Sequence, residues 1–476
     1  MKKLNEFTIK EAREGLKKGD FSSVELVQAC LDQIEKYDDK IKAFITVVGE
    51  QALEQAKIAD IEIAKGTDRP LLGIPYTAKD IFSTKGVQTT AGSNVLKDYI
   101  PPFESTVTKK LKEAGAILLA KDNLDAFSHG SSTETSDFFT TKNPWDITRL
   151  PGGSSGGTTV SVSSNMTIFG IGGDTGGSIR CPASWCGVTG LKPTYGRVSR
   201  YGVVAMASST DSPGPITKTA EDAAIVLEVV AGKDQNDATS SPSKISEYIS
   251  EIEDYSLEGV KIGKPKLFFD KKIDDKVIEK IEEALEKFKE LGAEIVEIDM
   301  LSPDYSLAVY TIVQRAEVSS NLARFDGIRY GHNRGAFGLE ARKRMMLGAY
   351  ALSVGYYDKY YSKAQRVRSV VIDEFKNAFE KVDFIIGPTL PTVAQEIGAI
   401  GSSPMWGELT DRLQIPASMS GICSLAIPCG FVDGLPVGMQ IMGNYFEEGK
   451  VLGAAHVFQK NTDYHTKFPD LERTTK

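Results

Sequence analysis

The stretch from Arg149 to Thr194 constrains this chain most, because it concentrates glycine, serine and threonine at a density that no ordinary helix or strand would accept. It contains two glycine clusters, GGSSGG at 152–157 and GGDTGGS at 172–178, separated by small apolar residues that we expect to be buried. Glycine lets backbone N–H groups approach a ligand closely and allows positive φ angles. The stretch therefore predicts a site where backbone donors and serine hydroxyls converge on a reacting carbonyl or on a phosphate.

Phosphate binding is the weakest of the three interpretations of this stretch. A P-loop requires G-x-x-x-x-G-K-[ST], and neither cluster is followed by Lys-Ser or Lys-Thr. The dinucleotide fingerprint G-x-G-x-x-G also fails, since Gly170-Ile171-Gly172 is followed three residues later by Thr175.

A Ser-His-Asp hydrolase is the second interpretation. The pattern G-x-S-x-G is matched twice within 152–157, but a nucleophile elbow needs a strand before it and a helix after it. The preceding segment, TKNPWDITRLP at 141–151, is predicted to be a loop. None of the four histidines has an obvious triad context, and we interpret them as packing or surface residues: His129, His332, His456 and His465.

A serine nucleophile with a lysine base is the third interpretation. Lys79 follows a short apolar run at 71–78 that predicts a buried strand, and a buried lysine is rare. Desolvation lowers the pKa of such a lysine and allows it to act as a base; a snorkelling surface lysine is an equally compatible alternative. Ser154 and Ser178 suit proton relay and attack, and the run 175–178 offers backbone N–H groups for an oxyanion hole. In a purely structural alternative, which we favour less, the glycines only form tight turns.

Composition narrows the class of protein. The chain has 476 residues, a formal net charge of −8 and a pI near 5.4, which argues against a free-standing nucleic-acid binder. The five cysteines are odd in number and include no CxxC pair, which is typical of reduced thiols in a cytosolic protein. The sequence shows neither a secretory signal nor an apolar run of 18 or more residues, so we expect no membrane span.

The remaining patterns predict one large α/β domain with a mixed sheet flanked by helices. Capping-box spacings, Thr8 with Glu11 and Ser22 with Glu25, indicate helices in the N-terminal part. The β–α–β rhythm recurs twice, at 105–121 and 260–299. Further predictions are helices at 51–64, 219–231, 304–327, 336–380 and 446–460, and strands at 199–205, 384–390, 424–430 and 436–443. The domain, 1–476, is divided into a helical portion (1–66), a core carrying the site (71–230), a surface excursion (232–258) and the remaining sheet with substrate-binding helices (259–476).

At these residues the chain resembles the amidase signature family. The family pattern is a Gly-Gly-Ser-Ser-Gly-Gly loop, then Gly-x-Asp-Thr-Gly-Gly-Ser-Ile-Arg-x-Pro, with Lys-Asp upstream. This sequence shows it at 152–157, at 173–182 and at Lys79-Asp80, and the resemblance extends from the N-terminal helices to 436–443. It implies a single α/β domain, a mixed central sheet and a Ser–cis-Ser–Lys triad. Cys181 and the segment 212–215 depart from the pattern.

The resemblance also implies residue roles. Ser178 is expected to be the acyl-enzyme nucleophile, Ser154 the bridging serine after a non-proline cis peptide bond, and Lys79 the general base. The implied oxyanion-hole donors are Thr175, Gly176, Gly177 and Ser178.

Three segments, 192–209, 319–331 and 355–368, are similar to the branch of the family that hydrolyses glutamine within tRNA-dependent amidotransferases. For this branch, Arg344 is expected to hold the α-carboxylate of glutamine and Asp411 its α-amino group, with Tyr310 as a further contact. The two alternatives are a stand-alone amidase acting on another amide and a non-catalytic structural subunit.

Membership in that branch implies partners. Ammonia would pass to a B-type subunit, which uses ATP and Mg²⁺ to convert Glu-tRNA(Gln) or Asp-tRNA(Asn) into Gln-tRNA(Gln) or Asn-tRNA(Asn). A small C-type subunit would complete a cytoplasmic heterotrimer that acts as a carbon–nitrogen ligase. We expect this chain to bind no cofactor or metal itself and to meet tRNA only through its partner.

Overall fold

The computed structural model describes residues 2–475, which build one eleven-stranded sheet in the order β1-β3-β2-β4-β6-β5-β10-β11-β9-β7-β8. Met1 and Lys476, the ends of the predicted domain, lie outside the described residues. The sheet is mixed: β3-β2-β4 and β9-β7-β8 are parallel, and the neighbours between β4 and β9 are antiparallel, as are β1 and β3. The strands are β1 (Phe44–Val47), β2 (Pro75–Lys79), β3 (Ile117–Asp122), β4 (Phe169–Asp174), β5 (Thr189–Lys192), β6 (Ser212–Thr217), β7 (Lys261–Pro265), β8 (Glu294–Ile298), β9 (Phe384–Pro388), β10 (Cys423–Val432) and β11 (Leu435–Gly443).

Helices flank this sheet, which confirms the predicted α/β architecture. They are α1 (Ile9–Lys18), α2 (Ser23–Ile41), α3 (Gly49–Ala64), α4 (Thr106–Glu113), α5 (Gly156–Ser163), α6 (Arg180–Cys186), α7 (Ala220–Val230), α8 (Tyr248–Glu253), α9 (Asp275–Glu290), α10 (Pro303–Leu322), α11 (Leu339–Ala351), α12 (Lys363–Phe379), α13 (Trp406–Thr410), α14 (Ile415–Ser420), α15 (Glu448–Lys460) and α16 (Leu471–Thr474). No helix between residues 2 and 475 is long and apolar enough to cross a membrane.

Both predicted capping boxes are present at the N-terminus. The hydroxyls of Thr8 and Ser22 accept hydrogen bonds from the N–H groups of Glu11 and Glu25. The helices α1 and α2 begin directly after these two capping residues. The N-terminal part is not wholly helical, however, because β1 pairs antiparallel with β3. Its sequence, Phe-Ile-Thr-Val, favours a strand and is too short to show a period.

Two other predictions are corrected by the structure, those for 199–205 and 336–380. Residues 199–205 form a turn and one isolated bridge, between Val203 and Phe82, rather than a strand, and Gly202 adopts φ +76° there, with Ser105 packed against it. The segment 232–258 lies mostly at the surface, although Tyr248 of α8 is fully buried and bonds Glu448 of α15. The long helix predicted at 336–380 is broken into α11 and α12, because Gly355 adopts φ +87° between them.

The glycine–serine stretch lies in the middle of the molecule. All of α5 and α6 and nearly all of β4 are buried, as predicted for the residues between the two clusters. Close packing requires the small residues: a Cβ at Gly157 would lie 2.4 Å from the carbonyl oxygen of Ala43. The site is therefore built on the innermost elements of the fold.

Candidate active site

Lys79 is the last residue of β2 and is completely buried, which excludes the snorkelling alternative. Its Nζ donates to Ser154 Oγ at 2.7 Å and to the carbonyl oxygen of Gly173 at 3.2 Å. Burial lowers the pKa of Lys79 to about 7, against the opposing influence of nearby carboxylates, Asp125, Asp174 and Asp211. Near neutral pH a substantial fraction of this amine is uncharged and able to accept a proton.

The two glycine clusters meet at the serines. The Gly153–Ser154 peptide bond is cis. The next residue, Ser155, donates its N–H to the carbonyl oxygen of Ser178 at 3.0 Å, and its hydroxyl bonds Gly173 at 3.2 Å. No hydrogen bond joins the hydroxyls of Ser154 and Ser178 in the described chain, and the two glycine clusters are linked instead by the backbone and hydroxyl bonds of Ser155.

The run Thr175–Ser178 connects the end of β4 to the start of α6. None of its four backbone N–H groups donates to another group within residues 2–475. The Thr175 hydroxyl donates to Asp211 at 2.8 Å, and Asp211 in turn accepts the N–H groups of Met206 and Ala207 at 2.9 and 3.1 Å. The loop is thus anchored by a side chain while its backbone donors stay available for an oxyanion.

A buried ion pair fixes the start of α6. Arg180 binds Asp174 through two parallel hydrogen bonds of 3.0 Å, and Asp174 also accepts the Ile179 N–H at 3.1 Å. Although burial alone raises the pKa of Asp174, the charge and hydrogen bonds of Arg180 outweigh it and leave that pKa below its ordinary value. Asp174 therefore remains ionised, and the pair with Arg180 orients the loop that carries Ser178.

Tyr310 and Asp411 approach the same loop. A Cβ at Gly176 would lie 2.7 Å from Tyr310 Oη, and one at Gly177 would lie 2.8 Å from Gln414 Oε1. Gln414 Nε2 lies 3.4 Å from Asp411 Oδ1. A Cβ at either position would displace one of these side chains, because α10 and the segment before α14 pack directly on the loop.

Asp411 is buried and receives a hydrogen bond of 2.6 Å from the Ser131 hydroxyl. Burial raises its pKa to about 8, although the bond from Ser131 opposes the shift. The free protein therefore holds much of Asp411 protonated at neutral pH, and a ligand ammonium group would favour its ionised form.

Arg344 lies on the wall of a cavity of about 420 Å³, and Ser131 lines the same cavity. Its Nε donates to Glu340 at 2.7 Å, and its Nη2 lies 3.7 Å from Glu408. The structure thus places Arg344 across one cavity from the hydroxyl that binds Asp411.

Several residues of the site were not predicted from the sequence. Asp174 and Arg180 belong to the family pattern without an assigned role, although two opposite charges six residues apart in a buried stretch are a signal of pairing. Ser131 and Gln414 come from distant loops and carry no local signal. The partner of the Ser154 hydroxyl is a lysine and not a histidine, and 141–151 is an irregular loop, so the site does not have the geometry of a Ser-His-Asp hydrolase.

The geometry is that of an acyl-transfer site. A lysine with a pKa near 7 contacts one serine, a second serine follows a run of unpaired backbone donors, and polar side chains converge on the same loop. These are the parts that nucleophilic attack on an amide requires.

Comparison with known proteins agrees with this geometry. The chain is 46% identical to the A subunit of glutamyl-tRNA(Gln) amidotransferase from Desulfatibacillum aliphaticivorans, covering 98% of this chain and 100% of the relative. It is 47% identical to the protein of the same name from Thermoanaerobacter pseudethanolicus, covering 98% of each. The crystal structure of the corresponding A subunit from Thermotoga maritima, 41% identical, superposes with a TM-score of 0.84 over 98% of this chain and 97% of that one. The sequence profile of the family described as Amidase matches residues 25–452, and the chain therefore belongs to the amidase family.

Proposed function

We propose that this chain is the glutamine-hydrolysing subunit of a tRNA-dependent amidotransferase. The observation that carries the proposal is the hydrogen bond between the buried Lys79 and Ser154, beside the unpaired backbone donors of 175–178. The choice of glutamine is supported by full-length similarity to proteins named as the A subunit of glutamyl-tRNA(Gln) amidotransferase.

In this mechanism neutral Lys79 takes the proton of Ser154, which takes the proton of Ser178 as Ser178 Oγ attacks the carboxamide carbon. The N–H groups of 175–178 stabilise the oxyanion of the tetrahedral intermediate. Its collapse breaks the C–N bond, and the relay returns a proton to the departing ammonia. Water then attacks the Ser178 ester by the same relay and releases glutamate.

Arg344 and Asp411 would hold the two charged ends of glutamine. A guanidinium presents paired N–H donors that match a carboxylate, and an ionised Asp411 pairs with the α-ammonium group. Tyr310, packed on Gly176, would close the pocket beside the scissile amide.

The released ammonia would pass to a B-type subunit that activates tRNA-bound glutamate or aspartate with ATP and Mg²⁺, with a small C-type subunit completing a heterotrimer. Partner binding is supported by large apolar side chains left in solvent between residues 328 and 354: Ile328 (82% exposed), Tyr330 (89%), Met346 (74%) and Val354 (100%). A cytoplasmic location is supported by the five cysteines, all of which are unpaired thiols. We propose no cofactor for this chain itself.

The test is glutamine hydrolysis by the full chain, purified alone and with B- and C-type subunits. Ser178→Ala and Lys79→Ala are expected to lose activity by about 10³-fold or more, whereas Ser250→Ala, at an exposed serine outside the site and the proposed partner surface, should leave it unchanged. Normal turnover in either of the first two variants would falsify the mechanism.

A further inference from the structure

His129 is a feature of the cavity that the proposed mechanism does not use. Its imidazole is completely buried, and neither ring nitrogen has a hydrogen-bond partner among residues 2–475. A neutral imidazole carries one donor and one acceptor, and buried polar groups in folded proteins are almost always paired. The two nitrogens are therefore open to a partner that the chain itself does not supply, such as a ligand or an ordered water.

His129 is related in position to both residues predicted to bind the charged groups of glutamine, Arg344 and Asp411. It lines the 420 Å³ cavity together with Arg344, and Ser131, two residues further along the same loop, binds Asp411 at 2.6 Å. The ring of Phe127 lies 6.1 Å from the imidazole between centroids and packs in turn on two further phenylalanines, Phe325 and Phe337. The imidazole is thus held in place by aromatic packing and not by polar contacts.

The charges of the cavity show why an additional donor is needed. Four acidic side chains and two basic ones line it, which leaves two more negative than positive charges: Glu134, Asp137, Glu340 and Glu408, against Lys343 and Arg344. Arg344 is already paired with Glu340 and lies near Glu408. A carboxylate that enters this cavity therefore meets a guanidinium whose charge is largely compensated, and it gains from any further N–H group.

The imidazole can supply that group without a charge of its own. Burial, together with the positive charges of Arg344 and Arg315, holds the pKa of His129 well below its ordinary value. A neutral ring still offers one N–H group to an acceptor.

We propose that His129 donates a hydrogen bond to the α-carboxylate of bound glutamine and thereby selects amino-acid amides over simple amides. This inference rests on the proposed glutamine-hydrolysing function. It assigns His129 to substrate binding and not to proton transfer, so its loss should raise KM for glutamine and leave kcat unchanged.

The experiment compares two amides in three forms of the full chain: the unaltered protein, His129→Leu and His129→Gln. The amides are glutamine and 4-aminobutanamide, which is glutamine without its α-carboxylate. His129→Leu removes the donor at similar volume, and we expect KM for glutamine to rise about tenfold to a hundredfold, the usual worth of a hydrogen bond to a charged group. His129→Gln retains an N–H donor and should recover most of that loss. The kcat/KM for 4-aminobutanamide should be equal in all three.

The outcomes separate this inference from the function on which it rests. If the unaltered protein prefers glutamine and His129→Leu keeps the full preference, His129 is not a carboxylate ligand. If His129→Leu lowers kcat/KM for both amides equally, the residue only supports the loop, and the inference fails in that case too. If the unaltered protein hydrolyses both amides equally well, it is the proposed choice of glutamine that fails.

Discussion

At the scale of single residues, the site depends on keeping an amine neutral at a pH where lysine is normally charged. The pKa of Lys79 falls from its ordinary 10.5 to about 7 because burial penalises the ammonium form more than the surrounding carboxylates stabilise it. One of those carboxylates, Asp174, is itself paired with Arg180. The same buried position that makes Lys79 unusual in sequence is therefore what would allow it to act as the proposed base.

Arginine in place of Lys79 should abolish hydrolysis at every pH. In the unaltered protein we expect the rate to fall about tenfold for each pH unit below about 7, as Lys79 becomes protonated. Lys79→Arg keeps a positive charge that cannot be removed, so raising the pH should not restore the loss, about 10³-fold or more. The measurement is kcat against pH. Lys57→Arg, at an exposed lysine, is the control, and recovery of Lys79→Arg at alkaline pH would contradict the role of a neutral base.

Asp411 should impose a second pH dependence, on binding. Its pKa of about 8 means that glutamine must displace a proton to bind at neutral pH, so kcat/KM should rise further as the pH increases to about 8. Below about pH 7 the slope of log(kcat/KM) should approach 2, one unit for Lys79 and one for Asp411. Asp411→Asn cannot ionise and should raise KM and reduce that slope to about 1. An unchanged slope in this variant would show that Asp411 does not titrate in the free protein.

The extent to which this site could be predicted follows from how local each signal is. Lys79, Ser154 and Ser178 stand out because each is unusual among its immediate neighbours, and the structure joins Lys79 to Ser154 as expected. Ser131 has no such signal: its contact with Asp411 spans 280 residues. The roles assigned to these residues remain predictions until the substitutions are measured.

At the scale of secondary-structure elements, the strand that packs beside the site was not predictable from local preference. β6 contains Pro213 and Pro215, yet it pairs with β4 on one side and β5 on the other. Proline lacks an N–H donor and is normally confined to sheet edges. In β6 the two prolines lie opposite Gly173 and Ile171 of β4, so tertiary packing outweighs the low strand propensity of proline at these positions. A strand without proline, such as β8, carried no such conflict and was predicted.

The loop from β4 to α6 should not tolerate a methyl group. In Gly176→Ala the new Cβ would lie 2.7 Å from Tyr310 Oη and 2.8 Å from its Cζ, so either the Tyr310 ring or the loop with its backbone donors must shift. We expect kcat to fall about 10²–10³-fold, the usual cost of losing one oxyanion donor. The matched control is Gly401→Ala, where nothing lies within 4 Å of the new atom. Replacing Tyr310 by Leu in the Gly176→Ala background should recover part of the loss, and strictly additive effects would argue against the steric contact.

At the scale of the whole molecule, Arg180 joins the glycine–serine stretch to the C-terminal half of the chain. Besides Asp174, it donates to the carbonyl oxygen of Gln414 at 3.0 Å and to the Ser418 hydroxyl at 2.8 Å, and it lies 3.4 Å from Gln440 Oε1 of β11. The loop from β4 to α6 is thus connected through one side chain to α14 and to a central strand. Because both partners of the ion pair are fully buried, losing the pair should affect the stability of the fold as well as the site.

Removing either charge of this pair should therefore destabilise the entire fold. Asp174→Asn or Arg180→Met leaves an uncompensated buried charge, and we expect unfolding free energy to fall by about 3–5 kcal/mol. Removing both charges together should lower the unfolding free energy by less than the sum of the two single losses, because neither ion is then left without a partner. Urea denaturation of the full chain measures these unfolding free energies. The control is Glu54→Gln, which breaks an exposed pair with Lys57 and should change the unfolding free energy by less than about 1 kcal/mol. If Asp174→Asn unfolds at the same urea concentration as that control, the pair only shapes the loop. Loss of activity without loss of stability would then place its whole effect at Ser178.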